Sequence, residues 1–432
     1  MTPSRRSVLG AGGVIAASAV GSAAAAAASP SSSAEEAWLQ GVLERYAGLG
    51  IKASGGPGDE ASGVWLEEDL TRAGYACERQ PFPIPYFDPV TVTLACGAAR
   101  AEVIPQALVT PTGPGGVTGP LRRADRPGDL TGAIALIVLP YKRWGAIQDP
   151  QVARPVADAL ARGALAVVAI TTGPTGEAIA LNVPPDKPLF DRPVAILAPR
   201  DSQPFLAGAE SGAAATLTVD GKGGRRTAWN LIARLDRKAA KTLIVSTPRS
   251  GWFGCAAERG SGLAVWLGLA HWMAKEGHGV NLEFIATSGH EYLYRGGEHY
   301  LQEKAPPPAS TAIWVHIGAS LAARDWHEFG PRLLPLPSAD SQRVLTATPD
   351  VMEAVRAGFH GLAGLEAVYP ADKAHAGGEL VNVIDAGYHS AIGEYGGHRY
   401  FHTMGDDMRC TSGDLAAPVL EAYKRTLTAC LK

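Results

Sequence analysis

The sequence predicts a three-layer α/β fold: a mostly parallel sheet between helices, with a smaller α/β module inserted into it. Three observations predict this. From residue 227 onward, short apolar runs alternate with helical patterns, as buried strands joined by crossover helices do. Residues 100–222 have a different texture, with long Gly/Pro loops at 112–120 and 172–193. The chain has 432 residues, 46% hydrophobic and 19% charged, which suits several folded units and argues against coiled coil or long disorder.

The elements follow in order. Leu39, Val42, Leu43 and Tyr46 recur at helical spacing, so 35–48 is a helix, and a second amphipathic helix covers 60–74. Thr91 to Leu94 alternates like a strand. In the module, strands fall at 134–139, 165–170, 194–197 and 216–219. Helices fall at 152–162 and at 201–208, where Asp201 is placed to cap the helix. Beyond it come strands at 231–235, 243–246, 280–286, 313–317 and 388–392. Helices lie at 261–275, 292–303, 350–359 and 415–431.

The N-terminus reads as an address. Arg5 and Arg6 precede a mild Ala/Gly-rich apolar stretch that ends in small residues at Ala23 to Ala28. This is the pattern of a cleaved twin-arginine export signal, so residues 1–33 are expected to be signal and linker and the mature protein secreted. No other stretch has the length and apolarity of a membrane span. Lys plus Arg is 39 and Asp plus Glu is 42, giving a net charge of −3. That balance gives no basic face for nucleic acid or anionic lipid. An exported location permits disulfides, with Cys410–Cys430 and Cys77–Cys96 as possible pairs.

Several motifs stand in a telling order. They are Asn230-Leu231-Ile232-Ala233, Leu243-Ile244-Val245, Ala257-Glu258-Arg259-Gly260-Ser261-Gly262-Leu263, His290-Glu291-Tyr292-Leu293-Tyr294-Arg295-Gly296-Gly297, and His402-Thr403 with Asp406-Asp407. This order resembles the zinc exopeptidase family of bacterial leucyl aminopeptidases and glutaminyl cyclases. The resemblance implies an aminopeptidase-type α/β domain from 35–99 and 223–432, with 100–222 as a protease-associated domain. It also implies two zinc ions sharing a bridging Asp. One ion adds a His and an Asp, the other a Glu and a His, and a second Glu is the general base. Carried over by position, the first His falls on Thr247, the bridging Asp on Ala257 and the base on His290. The ligand Glu falls on Glu291, the later Asp near His316, and the last His on His402.

The residues themselves limit that chemistry. Two zinc ions held close need a shared anion, and Ala257 supplies none. Glu258 is one position along and would ordinarily point away. Arg249 takes the place of an orienting Asp, and Arg259 lies beside the lost bridge. Fixed cations there raise the cost of binding a dication. The expectation is therefore at most one zinc or other divalent metal, held by Glu291, His316 and His402, or no metal at all. His290 would be the base, and Glu291, His316 and His402 the remaining catalytic groups. Arg249, Arg259, Tyr292 and Lys373 are candidate substrate contacts. Core packing for Tyr292 and plain loop polarity for Lys373, His375 and Glu379 are the alternatives.

The expected function is that of an exported aminopeptidase-like hydrolase acting on a small amide, peptide or related polar substrate. Two other readings stay open. One is a non-catalytic binding protein that kept the peptidase fold. The other is recruitment to lyase, cyclase or transferase chemistry on an acidic substrate.

Overall fold

A computed structural model describes residues 33–105, 108–276, 279–330 and 332–431. The twin-arginine segment lies outside the described residues. The strands are β1 (Ala76–Cys96), β2 (Ala99–Pro105), β3 (Val117–Arg123), β4 (Ile134–Val138), β5 (Ala166–Ile170), β6 (Val194–Leu197), β7 (Ala214–Leu235), β8 (Thr242–Pro248), β9 (Asn281–Thr287), β10 (Thr311–Ile317), β11 (Arg324–Phe329), β12 (Arg332–Ala339), β13 (Arg343–Ala347), β14 (Val368–Pro370) and β15 (Ala391–Gly396). The helices are α1 (Ser33–Gly48), α2 (Pro57–Arg72), α3 (Pro150–Ala161), α4 (Gln203–Ser211), α5 (Ser261–Lys275), α6 (Arg295–Glu303), α7 (Met352–Gly358), α8 (Leu380–Asp385) and α9 (Gly413–Cys430).

The main sheet runs β1-β7-β9-β8-β10-β15-β13-β14, and its central strands β9, β8, β10 and β15 are parallel. Their apolar runs are buried on both faces, as strands covered by helices on each side must be. On one face Leu39, Leu43 and Tyr46 of α1 pack with Leu263, Trp266 and Leu269 of α5 and with Leu420 and Tyr423 of α9. The opposite face carries a smaller cluster around Tyr300, Trp314, Leu380 and Tyr388.

Strands β1 and β7 pair antiparallel from Ala76↔Arg234 to Cys96↔Ala215 and run out of the main sheet into the inserted module. There the order β1-β2-β6-β5-β4-β3-β7 closes on itself through the β1–β7 pairing. Position 222–223 lies inside β7, so one unbroken ribbon joins the two regions. The described residues form one compact unit.

Strand 91–94 is only the tail of the 21-residue β1. Pro81, Pro83, Pro85 and Pro89 hide the rest, because proline argues against a central strand. They are tolerated because residues 76–90 pair on one side only, with β7. Helix α6 starts at Arg295 rather than at 292, because Leu293 and Tyr294 are left-handed (φ 51° and 68°). Asp201 does not cap α4, whose N-cap is Ser202. All five cysteines are free thiols.

Gly296 opens α6 against the end of β9. A Cβ there would lie 2.0 Å from the Ser288 carbonyl oxygen and 2.6 Å from Asn230 Oδ1. Backbone cannot yield as a flexible side chain does. Gly296→Ala is expected to cost about 1–3 kcal/mol, read as a lower denaturant midpoint with an unchanged m-value.

Candidate functional site

The parallel strands end on one side of the sheet, and the loops beyond their C-terminal ends carry the polar residues. This is where open α/β sheets build their sites. Strain gathers there too. Among the described residues, seven non-glycine residues have positive φ, and Cys255, Leu293, Tyr294, Ser320 and His402 lie in these loops. Such backbone costs about 1–3 kcal/mol per residue and persists only where surrounding contacts hold it.

Arg259 stands at the centre of the site. It sits in a π-helical turn, Ala256–Gly260, ahead of α5, and its side chain is 1% exposed. Nη2 lies 2.7 Å from Glu258 Oε1, and Nε donates to the Ser250 carbonyl at 3.0 Å. Among the described residues Nη1 has no hydrogen-bond partner. Burial works against the charge, but Glu258, Cys255, Glu291 and Tyr46 together outweigh it and hold the guanidinium above its ordinary value. For Glu258, burial alone would raise the carboxyl. The charges of Arg259 and His402 more than offset this and pull it down to about 2. The π-helical turn thus points Glu258 inward, against the simple expectation for its position.

Glu291 is buried beyond β9. Its Oε2 accepts from Ser54 Oγ and from Ser250 Oγ, each at 2.8 Å, while Oε1 has no partner among the described residues. Burial pushes this carboxyl up to about 7, against the pull of both serines. His290 Nδ1 lies 3.1 Å from Glu379 Oε1. Thr287 Oγ1 donates to the same carboxylate at 3.0 Å. Burial pushes Glu379 up to about 7, and burial with the charge of Arg259 holds His290 well below its ordinary value. His316 Nδ1 is 3.0 Å from Ser246 Oγ, and its Nε2 has no partner among the described residues. Burial, helped by Arg259, holds His316 down to about 3.

His402 is drawn elsewhere. Its Nε2 lies 3.4 Å from Glu258 Oε1, and Nδ1 donates to the Ala180 carbonyl at 2.9 Å. That carbonyl belongs to the inserted module, whose segment 177–183 lies over the site. Ala180 N donates to His402 O, Val183 N to Glu291 O, and Gly405 N to Glu177 Oε2. Trp252 Nε1 donates to Asn182 Oδ1 at 2.9 Å.

The sequence-predicted residues divide accordingly. Arg259, His290, Glu291 and His316 share one buried polar cluster, with His402 joined to it through Glu258. Glu291, His316 and His402 do not converge as a ligand set. The one group of three or more His, Cys, Asp or Glu side chains with all ligand atoms within 4.8 Å, among the described residues, is His398, Asp406 and Cys410. Arg249 faces the core instead of a substrate. It pairs with Asp59 Oδ1 at 3.0 Å, donates to the Ala286 carbonyl and lies over the Trp229 ring. Tyr292 is buried against Trp252 and the apolar side chains of the module. Lys373 is exposed and pairs with Asp385 at 2.7 Å. Thr247 donates to the Ile317 carbonyl at 2.9 Å, so its hydroxyl is committed. Sequence reasoning missed Ser54 and Asp59, both near the start of α2, because nothing local marks a serine or aspartate that will meet β9 across the fold. It left Glu379 as one of several polar loop residues.

No protein-family model matches the chain, and no curated protein matches it either. Solved structures do. The zinc aminopeptidase BSAP of Bacillus subtilis is 17% identical, with a TM-score of 0.70 over 91% of this chain and 94% of that one. An M28 peptidase precursor of Shewanella amazonensis SB2B is 14% identical, with a TM-score of 0.72 over 92% and 94%. An aminopeptidase of Aneurinibacillus sp. strain AM-1 is 18% identical, with a TM-score of 0.64 over 91% and 93%. The chain therefore has the fold of the zinc aminopeptidases.

The raised Glu291 carboxyl has a pH signature. Its folded value near 7 lies above the usual 4.5, so the fold keeps a proton that the unfolded chain loses between those values. This group lowers stability as pH rises from about 4.5 to 7, and its effect is complete above 7. Relative to the wild type, Glu291→Gln is expected to gain stability across that window by on the order of 1–3 kcal/mol and to hold a constant difference above it. Denaturant titrations of both proteins from pH 4.5 to 8.5 measure this.

Proposed function

We propose that this chain is an exported aminopeptidase-like hydrolase whose altered site runs without a metal pair and holds at most one metal. The substrate class is a small amide, peptide or related polar molecule, and His290 is the general base. The observation that carries the proposal is the buried Arg259 guanidinium paired with Glu258. By position it lies two residues beyond Ala257, where the family resemblance would put the shared zinc ligand. A fixed cation there repels dications, Ala257 offers no bridging anion, and Thr247 is spent on a backbone carbonyl. These residues do not fit two zinc ions.

They do fit proton transfer. His290 is held well below its ordinary value, so it is neutral and can accept a proton at neutral pH. Glu379 at 3.1 Å accepts the hydrogen bond from Nδ1–H and leaves Nε2 as the basic nitrogen, which makes it a positioning residue. Water attacks the amide carbon as Nε2 removes its proton. The carbonyl oxygen becomes an oxyanion opposite the free Arg259 Nη1. Collapse breaks the C–N bond, and the imidazolium returns its proton to the leaving amine. Segment 177–183 closes over these groups, so the cycle requires it to open.

That same closure favours a second reading, a non-catalytic binding protein. A screen of the folded, secreted protein against small amides and peptides separates the two. The hydrolase reading expects turnover that falls about 10²–10⁴-fold in His290→Ala and about 10²–10³-fold in Arg259→Met. Folded protein without turnover supports the binding reading. Turnover that requires added zinc and is indifferent to His290→Ala overturns the proposal.

A further inference from the structure

Behind Glu258 lies a second buried cluster that the reaction above does not use. His398 and Asp406 come from the loop after β15, and Cys410 closes that loop ahead of α9. All three are at most 2% exposed. One ligand atom from each lies within 4.8 Å of the others. Among the described residues His398 Nε2 has no hydrogen-bond partner, and it sits 3.4 Å from Asp406 Oδ1.

The geometry points to a structural zinc site formed by His398 Nε2, the Asp406 carboxylate and Cys410 Sγ. Imidazole, carboxylate and thiolate are the ligand types zinc takes, and a His–Asp–Cys set suits it better than magnesium or calcium. The Gly405 carbonyl, 3.5 Å from Sγ, is placed to supply a fourth donor. Charge closes as well, because a dication with one carboxylate and one thiolate is neutral and can be buried. On binding, zinc displaces the thiol proton, which leaves to solvent.

The surroundings are built as a metal's outer shell is. Ser320 Oγ lies 2.9 Å from His398 Nδ1, which turns Nε2 toward the cluster. Ser320 is itself left-handed (φ 67°) and anchored by its N–H on the Glu258 carbonyl at 2.9 Å. The Asp406 oxygens accept the N–H groups of Ala257 and Glu258, each at 2.9 Å. Each oxygen keeps a lone pair for a metal. An ion here would tie the 398–410 loop, which carries His402, to the turn that carries Glu258 and Arg259. It is separate from the family's zinc positions, and its presence or absence does not bear on His290 as the base.

Full-length protein produced with zinc is dialysed and assayed for metal, then reloaded with cobalt. The expected result is about one zinc per chain in the wild type and in Glu291→Ala, and a thiolate-to-cobalt charge-transfer band. Both are lost in Cys410→Ser, and the zinc is lost in His398→Ala. If those variants do not fold, X-ray absorption of wild-type zinc decides, with one sulfur in the first shell at about 2.3 Å. Wild-type protein that retains no zinc from an equimolar supply overturns the site. So does bound zinc with only nitrogen and oxygen neighbours, or zinc lost in Glu291→Ala and kept in Cys410→Ser.

Discussion

A single buried guanidinium organises the loops at the C-terminal ends of the parallel strands. Arg259 lies under the loops with a carboxylate at 2.7 Å, and its charge reaches Glu291, Glu379, Glu394, His290 and His316. Taking such a charge out of water costs several kcal/mol unless partners offset it. Glu258 is the offset, held ionised by Arg259 and His402 against the pull of burial. Burial lifts Glu291 and Glu379 toward neutrality against the pull of Arg259. Burial and Arg259 together hold His290 and His316 uncharged. A two-zinc enzyme solves the same electrostatic problem with dications among carboxylates. Here a protein cation occupies the centre.

The inserted module is part of this arrangement. The β1–β7 ribbon carries it out of the sheet, and Phe82, Ile84 and Ala228 of the ribbon share a core with its apolar side chains. Tyr292 joins that core from the loop that carries His290 and Glu291. The module's segment 177–183 then returns over the site and fixes the His402 ring through the Ala180 carbonyl. Packing between the two regions and closure of the site are therefore one structural fact.

Much of the fold was legible in the sequence, because helical spacing and continuous apolar runs report burial directly. Helix 261–275 matches α5, and strand 313–317 lies within β10. What was lost has physical causes. The prolines of β1 conceal an edge strand whose partner is over a hundred residues away. Left-handed Leu293 and Tyr294 delay α6 by contacts that local propensity does not encode. In the site, His290 and Glu291 were legible by position, and Arg259 by its charge beside Ala257. The inward turn of Glu258 was not, since it depends on a π-helical turn fastened by Asp406 from 148 residues away. Arg249 read as a substrate contact because a sequence shows charge and not the Asp59 that consumes it. Glu291, His316 and His402 read as a ligand triad because position alone cannot show His402 turning toward Glu258 and Ala180.

The account turns on which cation fills the space between Glu258, Glu291 and His402. Diffraction from crystals soaked in zinc, with anomalous data at the zinc edge, measures that directly. The account predicts guanidinium density for Arg259 between Glu258 and the Ser250 carbonyl, and no zinc peak in that space. One or two zinc peaks there, with Arg259 displaced, would contradict it.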